Sequence, residues 1–340
     1  MNLDRRDATR LLTILVATAT SPDGLSRTTQ ALTSGRVDTG VIDEIDEIDT
    51  MLAACQRQED NLGPSAVLPA MLAQRGMIED LLRGCSDATR PRLLGLYGRA
   101  NLSLAYYVYD LGDSAGAARH CEDARRAGHE ARDIALVVYT LCNIARFAVE
   151  DSRHNVAVDA AAVARRLVGG CEDRQLRAYV GGITATSHAL TGNERQCMAA
   201  FDNARHALNS GTGHDDSLAY WFTEGALRSK ESVAELQFGR VEQAAASAIA
   251  GLDLLDDSAI AGRACCLTRL ADARVLGGEV AEATRLVADA ADLATRYRSP
   301  RLVTALHTSR NRMAPWKDTP AVRELDQRLA DLGLIIPDHR

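Results

Sequence analysis

The sequence predicts an all-α protein, a right-handed superhelical solenoid of stacked helical hairpins, and three observations carry that expectation. Alanine and leucine dominate a hydrophobic content of 46%, while aromatics are only 4%. Just 8 prolines interrupt 340 residues. Alanine and leucine are strong helix formers, and few runs are rich in the β-branched and aromatic residues that strands prefer. The third observation is an internal repeat, since a hairpin that cannot bury both apolar faces alone buries them against its neighbours.

Each copy has a glycine at a turn, a polar pair, and alanines spaced three and four residues apart. The copies are "LGDSAGAARHCEDARRA" from Leu111, "TGNERQCMAAFDNARHAL" from Thr191, "FGRVEQAAASAIAGLDLL" from Phe238 and "GGEVAEATRLVADAADLA" from Gly277. The turn glycines Gly112, Gly192, Gly239 and Gly278 lie 80, 47 and 39 residues apart. The first spacing is about twice 40, so a degenerate unit is expected inside it. "EDSRHNVAVDAAAVARRL", from Glu150, fills that place without the glycine. Five hairpins of roughly 40 residues result. In each, the glycine ends helix A in a left-handed conformation that other residues resist. Small residues on helix B, such as Ala117, Ala124, Ala199 and Ala283, let two helices approach closely. The pattern resembles the tetratricopeptide repeat, whose usual period of about 34 is shorter, so the helices here run longer.

The elements follow in order. Residues 1–35 form an entry helix and linker. Their opening, "LDRRDATRLLTILVATAT", has two faces: Arg5 and Arg6 precede a weakly apolar run, and Ala17 to Ala19 imitate an export cleavage site. A twin-arginine signal favours Phe-Leu after the arginines, whereas "DAT" stands here, and Thr13, Thr18 and Thr20 interrupt the run. Asp4 and Asp7 suit a helix N-terminus, where the macrodipole favours negative charge, and sit poorly in a basic signal start. The expectation is the entry helix of a cytoplasmic array. Residues 36–90 form a helical pair. "VIDEIDEIDTMLAACQRQ" places Ile42, Ile45, Ile48 (or Asp49) and Leu52 on one face. Gly63-Pro64 marks the junction to "GPSAVLPAMLAQRGMIEDLLRGC". Residues 91–299 hold the five hairpins. Ser299-Pro300 breaks the last of them, and residues 300–340 cap the open end. That cap is a helix from about Arg301 to Met313, then a final helix with Thr319 as N-cap and Pro320 at its first position.

Charge and chemistry exclude several functions. A net charge of −7 gives no sign of the basic face expected of a chain that binds nucleic acid by itself. No apolar run reaches the roughly 18 residues needed to span a bilayer. The eight cysteines are scattered among Ala and Leu in helical patterns, which predicts reduced core thiols rather than a disulfide scaffold. No phosphate-binding glycine loop, nucleophilic triad or zinc signature is present. "HEARD", from His129, begins like a zincin motif but has Asp133 where the second histidine would stand. No cofactor and no metal are expected, and an enzyme using the interior of the superhelix is the least supported reading.

A binding surface remains. Helices A line the concave face of such an array, so polar and aromatic residues off their core stripe are the candidates. These are Asn101, Tyr106 and Tyr107 in the first unit, Asn143 and Arg146 in the second, and Thr184 and His188 in the third. The fourth offers Tyr220, Trp221, Glu224 and Arg228, and the fifth Arg269 and Asp272. Asparagine pairs with both the donors and the acceptors of an extended peptide, and arginine clamps a carboxylate with two parallel bonds. Aromatics add contact area at low entropic cost. Each of these residues has a plainer role open to it, as a buried core ring or a locally paired charge.

"GRVDTGVIDEI", "CQRQEDNLGPSAVL", "LAQRGMIEDLL", "GHEARD", "YRSPRLV" and "TPAVRELDQRL" resemble the regulatory half of actinobacterial helix-turn-helix regulators. There, a small lambda-repressor-like DNA-binding domain precedes a tetratricopeptide-like array. The resemblance covers residues 3 to 334, and the chain starts where the family has its linker. Either the DNA-binding domain has been separated from this chain or the chain is a stand-alone homologue, and direct nucleic-acid binding is not carried over. The resemblance implies a regulatory module whose concave face binds a peptide or small effector, or a partner protein. The alternative is a scaffold or dimerisation protein without an effector, with Leu11, Leu12, Leu15 and Val16 as its dimer contact.

Overall fold

A computed structural model describes residues 39–210 and 217–334. Within them the chain is all-α, with fourteen α-helices, no strand, and helices packed in neighbouring pairs. The expected entry helix, with Leu11, Leu12, Leu15 and Val16, lies outside the described residues. The chain divides into two compact units. The first holds the described residues up to Tyr109 together with Asp113–Thr140; the second holds Asp110–Gly112 and the described residues from Leu141.

The first unit contains α1 (Thr39–Leu62), α2 (Pro64–Gly84), α3 (Arg90–Asp110, less its last residue), α4 (Ser114–Ala131) and the start of α5 (Ile134–Glu150). Ile45, Ile48, Leu52 and Cys55 of α1 pack on Val67, Met71 and Ile78 of α2 and on Leu93, Leu96, Leu104 and Tyr107 of α3. Asp49 instead pairs with Arg99 at the surface, so Ile48 is the stripe residue. The side chain of Ile42 is outside the described set. Gly63, at φ 78°, breaks α1 from α2, and Pro64 opens α2 at the position where a missing N–H costs nothing.

The second unit continues α5 and adds α6 (His154–Leu167), α7 (Arg174–Leu190), α8 (Glu194–Asn209), α9 (Glu224–Gln237), α10 (Val241–Leu254), α11 (Ile260–Leu276), α12 (Val280–Tyr297), α13 (Pro300–Arg312) and α14 (Pro320–Asp331). Packing follows one rule. Within a hairpin, α7 lies on α8, α9 on α10 and α11 on α12. Each second helix also touches the first helix of the next hairpin, and the first helices α7, α9, α11 and α13 touch one another in turn. The physical basis is small residues on the second helices: Ala244 and Ala248 of α10, and Ala283, Ala290, Ala291 and Ala294 of α12, are almost fully buried. α13 and α14 close the last core through Leu302, Leu306, Val322 and Leu325.

The turns keep the repeat. Gly112, Gly192, Gly239 and Gly278 all have positive φ, and Ser152 takes the same conformation at φ 59° in the unit that lacks a glycine. Each turn closes with one six-residue bond, such as Asn193 N–H to the His188 carbonyl at 2.9 Å and Arg153 N–H to the Ala148 carbonyl at 2.7 Å. At the last helix, Pro320 is the first helical residue as expected, but Thr319 does not cap through its side chain. Its hydroxyl donates backwards to the Trp316 carbonyl at 2.7 Å. All eight cysteines are unpaired, and five of them are buried.

Candidate ligand-binding site

The first helices of successive hairpins bring together charged, polar and aromatic side chains. From α5 come Cys142, Arg146 and Glu150, spaced four residues apart along one face, with Asn143 beside them one turn before Arg146. The Tyr179 hydroxyl of α7 donates to Asn143 Oδ1 at 3.2 Å. The Tyr179 ring stands 5.0 Å from the Trp221 ring and 5.2 Å from the Phe222 ring, and the two latter meet edge to face. The Arg146 guanidinium lies 6.0 Å from the centre of the Trp221 ring, within cation–π range. Its Nε also faces Glu150 Oε1 at 3.5 Å.

Lys230, on α9, lies among these groups. Its stem runs over Gly182 of α7, where an added Cβ would come within 2.8 Å of Phe222 Cζ and 3.3 Å of Lys230 Cδ. A side chain at position 182 would displace both. Among the described residues the Lys230 ammonium donates no hydrogen bond and forms no ion pair within 4 Å. Water reaches part of the side chain, yet protein surrounds the charged end closely enough to desolvate it. That desolvation, followed by the charges of Arg146 and Arg269, brings its pKa down to about 7.

Two further arginines complete the cluster. Arg269 of α11 donates to the Ser229 carbonyl at 2.9 Å and to the Ser229 hydroxyl, with no carboxylate at ion-pair distance among the described residues. Arg301 of α13 donates through Nε to Asp110 Oδ1 at 2.8 Å; Asp110 clusters with the second unit and is fully buried. Desolvation raises the pKa of Glu150, but Arg301, Arg146 and Lys230 outweigh it and hold the carboxyl below its usual range. Burial pushes the Cys142 thiol well above the usual cysteine range, so it is an inert partner. Arg146, Lys230, Arg269 and Arg301 thus stand around the carboxylates of Glu150 and Asp110, beside an aromatic wall.

The sequence candidates divide accordingly. Asn143, Arg146, Trp221 and Arg269 belong to this cluster. Tyr220 and Trp221 lie in the turn before α9 rather than on the helix, because α9 begins only at Glu224, and the Tyr220 carbonyl accepts from Gln175 Nε2 at 2.9 Å. Tyr107 is a core residue at 1% exposure, and Tyr106 packs partly buried on the same core. Asn101 is fully buried: its amide donates to the Tyr97 carbonyl at 2.9 Å, and its oxygen meets His120 Nδ1 at 2.8 Å. Thr184 is buried, while His188 is held neutral-leaning by desolvation and Arg165. Glu224 and Arg228 form a separate network with Arg205 of α8 and the buried Glu231. Asp272 faces Arg312 at 3.5 Å, and desolvation raises its pKa against that pull.

Lys230, Glu150, Tyr179 and Arg301 escaped the sequence reading. One signal marks Lys230: the chain has only two lysines, Lys230 and Lys317, against 37 arginines. A guanidinium cannot give up its proton in a protein, whereas an ammonium can.

Among the described residues no group of three or more His, Cys, Asp or Glu side chains is placed to hold a metal ion, and no helix is long and apolar enough to cross a membrane. No protein-family model matches the chain, and no curated protein matches it significantly.

Proposed function

We propose that the chain is a cytoplasmic regulatory module of tetratricopeptide-like hairpins. In this reading the row of first helices forms the inner face of a right-handed superhelix and binds a peptide or small effector. Binding biases the array between two curvatures and so controls transcription through an attached or associated lambda-repressor-like helix-turn-helix domain. The observation that supports it best is the convergence of Asn143, Arg146, Trp221 and Arg269 from α5, the turn before α9, and α11. They are the residue types that read amides, carboxylates and flat apolar groups. Their positions on separate hairpins make any occupant sensitive to how the hairpins stack.

A thermal-shift screen of short peptides and small effectors tests the reading. The expected result is a set of ligands that raise the Tm of the wild type and lose that effect in Arg146→Ala and Trp221→Ala. A broad screen with no ligand-dependent shift would sink it. A ligand whose effect survives both substitutions would place the effector elsewhere.

A further inference from the structure

We propose that the cluster around Lys230 binds a small oxyanion carried on a flat apolar body, with Lys230, Arg146 and Arg269 as the clamps and Trp221 as the wall. The inference rests on the effector-binding reading of the same helix row and names the chemistry that the effector presents.

The case is electrostatic and geometric. Arg269 is fixed by neutral groups of Ser229 and has no carboxylate within ion-pair distance among the described residues, although Asp272 of the same helix feels its charge. Among the described residues Lys230 has no hydrogen-bonding partner. Arg146 Nε meets Glu150 Oε1 at the long distance of 3.5 Å, and Glu150 is shared with Arg301 and Lys230. Cations placed so close, with the single carboxyl of Glu150 shared among three basic groups, are stabilised when a further anion enters, and an oxyanion accepts bonds from ammonium and guanidinium alike. Trp221, Tyr179 and Phe222 form an aromatic group beside the guanidinium of Arg146, so the body attached to the anion has a flat apolar surface to lie on.

Lysine at position 230 adds a coupling that arginine could not. In the empty site the amine sheds its proton near neutral pH, which relieves the repulsion from Arg146 and Arg269. An arriving anion restores the charge, so binding takes up a proton. The titratable and charged groups acting on the ammonium are Cys142, Arg146 and Glu150 from α5 and Arg269 from α11. From α7 the stem meets Gly182, and Arg205 of α8 is engaged with Glu231 on another face of α9. The hydroxyl of Ser247 from α10 likewise meets Glu235 and not Lys230.

Calorimetric titration of the full chain with benzoate and with inorganic phosphate tests this. Benzoate presents a carboxylate on a flat body, and phosphate presents a bare oxyanion. The expected result is benzoate binding that takes up close to one proton at pH 8 and almost none at pH 6. Affinity falls by up to about tenfold per pH unit above neutrality, the limit set by one linked proton. Lys230→Met removes the clamp without leaving a buried group unpaired, and it weakens binding by about tenfold to a hundredfold, as for a lost charge-assisted bond. Lys230→Arg keeps binding and flattens its pH profile, which a purely structural role for the lysine would not do. Phosphate binding without benzoate binding overturns the flat-body part of the proposal. Binding of neither anion, or binding unchanged in Lys230→Met, overturns all of it. If neither anion binds while a neutral peptide raises the Tm and loses the effect in Trp221→Ala, the oxyanion inference fails and the effector reading survives. If benzoate binds as expected while no ligand alters association with a helix-turn-helix partner, the inference stands and the regulatory reading falls.

Discussion

Arg269 Nη1 donates to the carbonyl oxygen of Ser229 at 2.9 Å, which fixes a guanidinium of α11 one residue away from Lys230 on α9. The bond joins consecutive first helices across two hairpins. It also sets the local electrostatics. A guanidinium keeps its charge at every accessible pH, so the repulsion between the two cations is relieved only from the lysine side.

Stability should therefore depend on pH through Lys230. Its folded pKa of about 7 lies below the ordinary lysine value. Between those two values the unfolded chain holds a proton that the folded chain has shed, so stability rises with pH across the window. The full cost of burying the charge is present below pH 7 and fades above it. One pKa unit corresponds to at most about 1.4 kcal/mol, and the water that reaches this side chain reduces that. Between pH 7 and 9 the wild type should gain about 1 kcal/mol relative to Lys230→Met, read from urea denaturation at each pH. Parallel pH profiles for the two proteins would refute the assignment.

Amine chemistry gives an independent check. A neutral amine is a nucleophile and an ammonium is not, so reactivity tracks the titration. Brief acetylation across pH 6 to 10, followed by peptide mass analysis, should show Lys230 labelling with a midpoint near pH 7. The chain carries only one other lysine, Lys317, so the assignment is unambiguous. A midpoint for Lys230 near the ordinary lysine value of about 10.4 would contradict the desolvated, cation-crowded setting described above.

The fold was more legible than the site, for a physical reason. Helices, turns and the hairpin period are local properties, written in alanine spacing and in Gly112, Gly192, Gly239 and Gly278. Asn143, Arg146 and Arg269 are legible as candidates because polar residues off a helix stripe stand out against a period of 3.6. Lys230 and Glu150 did not, since their significance is the absence or sharing of partners brought from other helices, and periodicity carries no record of partners. Tyr106 and Tyr107 show the converse. Two adjacent tyrosines look alike in sequence, and only packing sends Tyr107 into the core of the first unit while Tyr106 stays at its margin. Trp221 was placed on a helix because nothing local announces that α9 starts as late as Glu224.

The network around Glu231 should respond asymmetrically. This carboxylate is 3% exposed, accepts bonds from Arg205 and Arg228, and has its pKa raised by desolvation in spite of both. Arg205→Met leaves a buried charge with one partner fewer. Breaking a buried pair typically costs about 3–5 kcal/mol; with Arg205 about a third exposed, roughly 2 kcal/mol is expected. Glu231→Gln removes the desolvation penalty together with the pairing, and its cost should stay below about 1 kcal/mol. Chemical denaturation of the two variants decides it. A costlier Glu231→Gln would mean that the pairing energy exceeds the burial penalty.

Ser152 offers the sharpest test of the repeat itself. It holds φ 59° in the turn between α5 and α6, the conformation that glycine supplies at the four other turns. The bond that closes this turn, Arg153 N–H to the Ala148 carbonyl at 2.7 Å, matches the bonds at those glycines, so the geometry is that of the family of turns and only the residue differs. A non-glycine residue in the left-handed region carries a penalty of about 1–2 kcal/mol. Glycine at the same place lacks that penalty but gains freedom in the unfolded chain worth about 0.4–1 kcal/mol. The difference predicts that Ser152→Gly stabilises the protein by about 0.5–1 kcal/mol, whereas most surface substitutions change stability by less than that. The reciprocal Gly192→Ser should destabilise by a similar amount, since the same two terms enter with opposite sign. A stabilising Ser152→Gly paired with a destabilising Gly192→Ser, both measured by thermal unfolding, is the pattern expected of equivalent turns. A Ser152→Gly variant no more stable than the wild type would show that Ser152 contributes a compensating interaction absent from the glycine turns.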